Sequence, residues 1–240
     1  EQQVHQFNRN GFLNAGEVLD EGLVDRLSDA LDAVIARGPD GFANGEPRPV
    51  LFRDLTGGDG EQKTPVWQIV NIWEAAEPFR ELIHEPAIVE AIAQLTGFED
   101  LQVWHDQVQY KPAEAGGATS WHQDAPLWPT IEPQTPVSAW IPFDDATEEN
   151  GCMWMVPGSH RWGDVQKYLA TQNQLRTLAE FPGVGQGFEP PAHAPITEIE
   201  AVPCPVKRGE VHFHHSLTWH GSPQNRSTRP RRAMPRRARR

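Results

Sequence analysis

A change from helical to strand-like periodicity near residue 100 limits the folds open to this chain of 240 residues. Before that point, apolar residues recur at helical spacing after the N-cap candidate Asp20, and again after Pro86. After it, short apolar segments are separated by turn residues, at 101–110, 136–143, 152–156, 202–206 and 210–217. The pattern predicts a mainly β domain with flanking helices (α+β), built as a double-stranded β-helix of the jelly-roll or cupin-like kind.

We expect residues 1–240 to form one domain, with a helical lead-in over about 1–100 and a β-helix core over about 101–233. Within the lead-in, 7–13 is typical of a strand or packed arm, and 39–65 of a loop. Residues 161–200 lack periodicity and are expected to form an insertion or lid. Residues 234–240 contain Pro235 and show no strand pattern, so we expect a solvated tail there.

Charge and cysteine content exclude several classes of function. Eight Arg lie from Arg226 onward, which leaves 13 Lys and Arg against all 33 Asp and Glu in residues 1–225. Such an acidic body argues against nucleic acid as a partner, and no apolar run is long enough for a membrane span. Cys152 and Cys204 cannot form a disulfide framework, so we expect a cytoplasmic protein, as a monomer or homodimer.

The pair His122 and Asp124 is the first candidate for chemistry. Residues two apart on a strand point to one face, so this pair can supply two neighbouring ligands to a divalent metal ion. With a distant second His it would form the two-His, one-carboxylate triad of non-haem Fe(II) oxygenases. Because such pairs also arise by chance, a third ligand and a cosubstrate anchor are needed.

Candidates for both lie near the C-terminus. Four histidines crowd one segment, at His212, His214, His215 and His220. Histidines on a strand are usually packing residues or residues that support a metal ligand, whereas His220 follows the strand and opens the turn at Gly221, where a ligand can face the interior. Arg231 comes eleven residues later and could bind the distal carboxylate of 2-oxoglutarate through a planar, bidentate contact. A solvated surface charge is the alternative for Arg231.

These motifs, in this order and spacing, resemble the phytanoyl-CoA dioxygenase family. The resemblance runs from Phe12 to Ala233 and rests on five segments, at 121–126, 139–142, 145–152, 157–160 and 220–233. It implies an enzyme that uses Fe(II), 2-oxoglutarate and O2 to hydroxylate or otherwise oxidise a small organic molecule, with release of succinate and CO2. It also implies that His122, Asp124 and His220 hold the metal and that Arg231 holds the far carboxylate.

By the same resemblance, four further residues are expected in the 2-oxoglutarate pocket: Ser222, Trp140, Gln107 and Thr119. Halogenating relatives replace the metal-binding carboxylate with a small residue, so Asp124 favours hydroxylation or a related oxidation. Substrate contacts are expected among Asn71, Trp73, His105, Trp128, Met153, Arg161, Trp162 and Phe181. Two other interpretations stay open: a metal-dependent cupin enzyme without 2-oxoglutarate, and an inactive jelly roll that binds a small molecule.

Overall fold

Two antiparallel sheets form the body of the molecule in the computed structural model, which describes residues 1–55, 66–114, 117–128, 137–169, 191–195 and 199–239. The α-helices are α1 (Gln2–Asn10), α2 (Glu21–Arg37), α3 (Glu77–Leu82) and α4 (Pro86–Thr96). The strands are β1 (Phe12–Glu17), β2 (Leu51–Asp54), β3 (Trp67–Val70), β4 (Gln102–Lys111), β5 (Thr119–His122), β6 (Val137–Pro142), β7 (Met153–Met155), β8 (Val202–Cys204), β9 (Glu210–His215), β10 (His220–Ser222) and β11 (Arg231–Arg239).

The sheet order confirms the predicted jelly roll. The larger sheet has the order β1-β9-β6-β11-β4-β3-β2, and the smaller has the order β5-β10-β7-β8. Every one of these strand pairs is antiparallel. Neighbours in each sheet are mostly distant in sequence, which is typical of a chain that winds between two facing sheets.

The two faces of the larger sheet have different surroundings, because successive side chains on a strand alternate. One face packs under the helices, where Val108, Phe213 and Met234 join a core with Leu27 and Leu31 of α2. The other face looks into the roll, where Trp140 and Ala233 pack against Met153, Met155 and Cys204. This inner face also carries polar side chains, and the candidate site lies among them.

The helical predictions are confirmed in detail for α2 and α4. Asp20 caps α2, since its Oδ1 accepts the Leu23 N–H at 2.9 Å. Pro86 opens α4, where its missing N–H has no cost. The prediction for residues 7–13 is wrong at its start, because Phe7 lies in α1 and only Phe12 onward forms a strand. Gly11 joins the two in a left-handed conformation (φ 83°), and a side chain there would collide with His160 and Thr218.

The expected solvated tail is wrong. Residues 231–239 form β11, which lies between β6 and β4 near the centre of the larger sheet. Arg236 and Arg237 are only 3% and 7% exposed. Pro235 is accommodated because pairing with β4 covers 231–233 and 236–239, which leaves the proline, without an N–H, in the gap.

Two other expectations have different outcomes. The loop expected at 39–65 contains β2, while most of the expected lid, including Phe181, lies outside the described residues. Among the residues described, no helix combines the length and the apolar character needed to cross a membrane.

Candidate metal centre

The three predicted ligands converge at one point between the sheets. Strands β5 and β10 pair with His122 opposite His220, so both side chains point to the same face and their ring centroids lie 4.1 Å apart. The Nε2 atom of each ring lies 3.8 Å from Oδ1 of Asp124. A single ion with bonds of about 2.1 Å can therefore touch all three residues.

Backbone contacts set the tautomer of both histidines. His122 Nδ1 lies 2.8 Å from the Ser120 carbonyl oxygen, and His220 Nδ1 lies 2.9 Å from that of Thr218. Since a carbonyl oxygen only accepts, each Nδ1 carries the hydrogen and each Nε2 keeps its lone pair towards Asp124. Burial lowers the pKa of both rings, which favours the neutral form that binds metal.

Asp124 reaches the site from a turn and not from a strand, which corrects the geometric argument from sequence. Strand β5 ends at His122, and Asp124 adopts a helical conformation (φ −73°, ψ −49°) at the start of a 3₁₀ turn. Its N–H donates to the Ser216 carbonyl at 2.8 Å. Between the two ligands, the Gln123 amide donates to the carbonyls of Gly163 and Leu217 at 2.8 and 2.7 Å, which fixes the turn.

The two oxygens of the Asp124 carboxylate have separate tasks. Oδ2 accepts hydrogen bonds from Ser138 Oγ at 3.1 Å and His214 Nε2 at 3.2 Å. Oδ1 faces both histidine ligands and also accepts from Arg237 Nη2 at 3.2 Å. Burial alone would raise the pKa of this carboxyl, but the charge of Arg237 and the His214 hydrogen bond hold it well below its usual value. Asp124 is therefore ionised, with Oδ1 directed at the metal position.

The donor set fits ferrous iron. Two neutral imidazole nitrogens and one carboxylate oxygen on one side of an ion form the facial triad that leaves the opposite positions open for other ligands. Asp124 and His220 are buried, and the His122 side chain is 19% exposed. The site is thus largely screened from bulk water before any ligand enters.

A buried cation lies at the far end of the predicted cosubstrate pocket. Arg231 is 1% exposed, and its Nε and Nη1 have no hydrogen-bond partner among the described residues. Its guanidinium carbon lies 5.5 Å from the Trp140 ring centroid. Burial lowers the pKa of Arg231 to about 10, which still leaves it charged at neutral pH. A buried cation with hydrogen-bond donors left free can bind a carboxylate ligand.

The other predicted pocket residues border two adjoining cavities. Gln107 and Arg231 line a cavity of about 360 Å³. Trp140 and Ser222 line the smaller one at the metal ligands, and Thr119 lines both. Their contact with 2-oxoglutarate stays a prediction, but their placement extends from the metal position towards Arg231.

The predicted substrate residues separate into two groups. His105 and Trp128 meet at Arg237: His105 Nε2 lies 3.3 Å from its Nη1, and the Trp128 ring centroid lies 4.4 Å from its guanidinium carbon. Met153 also lines the cavity at the metal ligands. Four others have contacts elsewhere: Asn71 N–H with the Asp106 carbonyl, Trp73 with Arg80, Arg161 with the Arg9 carbonyl, and Trp162 with Trp219. For these four, a role with substrate stays a prediction without a supporting contact.

Sequence reasoning missed Ser138, Lys111 and Arg237, and it named His214 without identifying its partner Asp124. Lys111 is 5% exposed and donates to the backbone carbonyls of Ser222 and Pro223. Arg237 could have been found from its spacing, because it lies six residues after Arg231 and so on the same strand face. This even spacing was overlooked because a solvated tail was expected there.

Comparisons with known proteins agree with this fold and site. The family profile described as phytanoyl-CoA dioxygenase (PhyH) matches residues 7–233. Mouse phytanoyl-CoA dioxygenase domain-containing protein 1 is 32% identical over 155 residues, which are 65% of this chain and 50% of that protein. A probable alpha-ketoglutarate-dependent hypophosphite dioxygenase from Stutzerimonas stutzeri is 31% identical over 153 residues, which are 64% of this chain and 50% of that protein. The chain thus spans about half the length of these curated relatives.

Solved structures show the same fold at low identity. The non-haem alpha-ketoglutarate-dependent carbocyclase SnoK matches with a TM-score of 0.74 and 22% identity, over 99% of this chain and 83% of that one. EctD from S. alaskensis, solved with 2-oxoglutarate and 5-hydroxyectoine, matches with a TM-score of 0.71 and 19% identity, over 99% and 74% of the two chains. With nearly the whole sequence matched by one family profile, this chain belongs to the phytanoyl-CoA dioxygenase family.

Proposed function

We propose that the protein is an Fe(II)- and 2-oxoglutarate-dependent dioxygenase that oxidises a small organic molecule. The single observation that carries the proposal is the presence, across adjoining cavities, of the His122–Asp124–His220 cluster and of a buried Arg231 whose Nε and Nη1 have no hydrogen-bond partner among the described residues. Family membership supports the same conclusion. A metal-dependent cupin enzyme would need the triad but would leave two buried donors of Arg231 without a ligand.

The residues divide the work between them. His122, Asp124 and His220 would hold the iron, and Arg231 would bind the distal carboxylate of 2-oxoglutarate. Iron and 2-oxoglutarate would together supply the activation of O2, with succinate and CO2 as the products of the cosubstrate. Ser138 and His214 hold Asp124 in position through Oδ2, so that Oδ1 stays directed at the metal position. Trp140 and Ser222, which are both buried, would help to exclude water from the bound cosubstrate.

Binding can be tested with Mn(II), which has the charge of Fe(II) and does not react with O2 in this way. Isothermal titration should show 2-oxoglutarate binding much more tightly with Mn(II) present than without it. Glutarate, which lacks the keto group, should lose that dependence on metal because it can reach Arg231 but cannot chelate.

Matched variants complete the test. His220→Ala should lose Mn(II) binding, whereas the exposed His84 replaced by Ala should bind as the parent does. Equal binding of 2-oxoglutarate with and without metal, or unchanged Mn(II) binding by His220→Ala, would contradict the proposal.

We also propose that the protein acts in the cytoplasm as a monomer or homodimer, without nucleic acid as a partner. Support comes from two buried cysteines that are both free thiols and from the acidic composition of residues 1–225. Light scattering coupled to size exclusion would give the mass in solution; a stable assembly larger than a dimer would contradict this proposal.

A further inference from the structure

Arg237 lies beside the metal position, and its contact with Asp124 uses only part of its hydrogen-bonding capacity. It lines the same cavity as His122, Asp124 and His220, although it comes from β11 of the facing sheet. Its Nη2 donates to Asp124 Oδ1 at 3.2 Å, and its guanidinium lies 4.4 Å from the Trp128 ring centroid. The planar guanidinium of Arg237 is therefore held between the Trp128 ring and Asp124, a predicted metal ligand.

One edge of this guanidinium is only half used. In arginine, Nε–H and one of the Nη2 hydrogens share an edge and form a fork for a carboxylate. Arg237 Nε is buried and has no hydrogen-bond partner among the described residues, whereas Nη2 on the same edge contacts Asp124. A buried, unpaired donor is costly unless a ligand completes it.

Once metal is bound, the positive charge of Arg237 is no longer fully balanced by a neighbouring carboxylate. Asp124 Oδ1 would then share its charge with the ion. The other carboxyl that is buried among the described residues, Asp106, makes no hydrogen bond to Arg237; it pairs with Arg236 in the strand register, and its Oδ1 accepts the Ile72 N–H at 3.0 Å. His105 contacts the other edge of Arg237 but adds no negative charge.

We propose that Arg237, with Trp128 and His105 beside it, forms a subsite for a carboxylate of the substrate, so that the enzyme acts on a small organic acid. This inference rests on the proposed function, because it places the acid beside the iron. The unpaired Nε–H of Arg237 donates to the carboxylate while Nη2 keeps its contact with Asp124, and the Trp128 ring lies beside the guanidinium. Arg237 is thus a residue that determines specificity, separate from Arg231 at the cosubstrate end.

The subsite can be tested with benzoate and benzamide, which have nearly the same size and shape but differ in charge. Titrations use the protein loaded with Mn(II) and 2-oxoglutarate, so that no reaction is needed for the readout. We expect benzoate to bind the parent at least tenfold more tightly than benzamide. Arg237→Gln should abolish this preference, and Arg237→Lys should keep a smaller one. Replacing the exposed Arg226 by Gln should leave it unchanged.

The outcomes separate the two proposals. Binding of 2-oxoglutarate to the Mn(II) form, measured first in each protein, tests the dioxygenase proposal and also shows that the variants are folded. If 2-oxoglutarate fails to bind, the same comparison with Mn(II) alone still tests the Arg237 subsite. The absence of a benzoate preference in the parent overturns the subsite. A preference that persists in Arg237→Gln also overturns it, because benzoate would then be binding the metal directly.

Discussion

Two buried charges, Asp124 and Arg231, are stable in the same interior for different reasons. Asp124 has partners on both oxygens, from Ser138 and His214 on one side and Arg237 on the other. Arg231 has two donors without partners among the described residues, and its guanidinium carbon lies 5.5 Å from the Trp140 ring centroid. The contacts of Asp124 keep it ionised, whereas the free donors of Arg231 support the proposal that it binds an anion.

Replacing Arg231 should therefore weaken cosubstrate binding far more than it changes metal binding. Loss of one partner from a buried charge pair costs about 2–5 kcal/mol, so Arg231→Gln should raise the Kd for 2-oxoglutarate at least about 30-fold. Titration of the Mn(II) form measures this, with the exposed Arg226→Gln as the control. A change below about threefold would remove Arg231 from the cosubstrate site.

Asp106 should make stability depend on pH. Burial raises the pKa of this carboxyl to about 7, although backbone N–H groups and Arg237 act in the opposite direction. Between pH 4 and pH 7 the folded state then keeps a proton that the unfolded state has lost, so stability falls as pH rises through this range. The loss is on the order of a few kcal/mol at most.

The matched variant for this effect is Asp106→Asn, which keeps the oxygen that accepts the Ile72 N–H. Urea unfolding at pH 5 and pH 8 should show that the variant gains stability relative to the parent at the higher pH. An equal difference at both pH values would mean that Asp106 titrates near its ordinary pKa.

Among the elements, β11 shows the limits of prediction from sequence. On its outer face Met234 lies between Arg232 and Arg236, and its inner face carries Arg231 and Arg237, which line the two cavities. Because charged residues occupy both faces, β11 lacks the alternation of apolar and polar residues by which strands are recognised. Helix α2 could be predicted because its buried residues follow helical spacing after a good N-cap.

The site was predictable in part for a similar physical reason. His122, Asp124 and His220 are residue types that few structural roles demand in this order, and they do meet in the fold. Their meeting depends on the β5–β10 register, which contains an irregularity between His220 and Ser222. Sequence periodicity carries no information on strand register, so neither the meeting of the three residues nor the contact of Ser138 with Asp124 could be predicted from it.

Met234→Ala tests whether β11 is a buried strand in solution. Met234 is fully buried in the core beneath the helices, so its truncation should cost about 2–5 kcal/mol of unfolding free energy. Denaturant unfolding measures the loss, with Val50→Ala as a control because Val50 is 69% exposed. A loss below about 0.5 kcal/mol would support the original prediction of a solvated tail and contradict a buried β11.

At the scale of the molecule, the two faces of the larger sheet have different functions: one forms the core and the other borders the candidate site. Its outer face packs under the helices, and its inner face supplies polar residues from β4, β6, β9 and β11 to the cavities. Two ligands come from the smaller sheet and meet the larger sheet through Ser138, His214 and Arg237. The site thus joins both halves of the roll, and metal binding should stabilise the whole domain.

Melting with and without metal tests this coupling. At 100 times its Kd, Mn(II) should add about 2.7 kcal/mol, which corresponds to a rise in Tm of about 5–10 °C for a domain of this size. The Asp124→Asn variant should have the same Tm with EDTA as with Mn(II). A similar rise in parent and variant would place the bound metal outside the triad.

The central claim is that His122, Asp124 and His220 hold Fe(II) while 2-oxoglutarate chelates the same ion. Its most direct test is the weak visible metal-to-ligand charge-transfer band, recorded without O2 as Fe(II) and 2-oxoglutarate are added. We expect a band that saturates at one equivalent of each and is absent in His122→Ala. No band in the parent, with His122→Ala behaving in the same way, would contradict it.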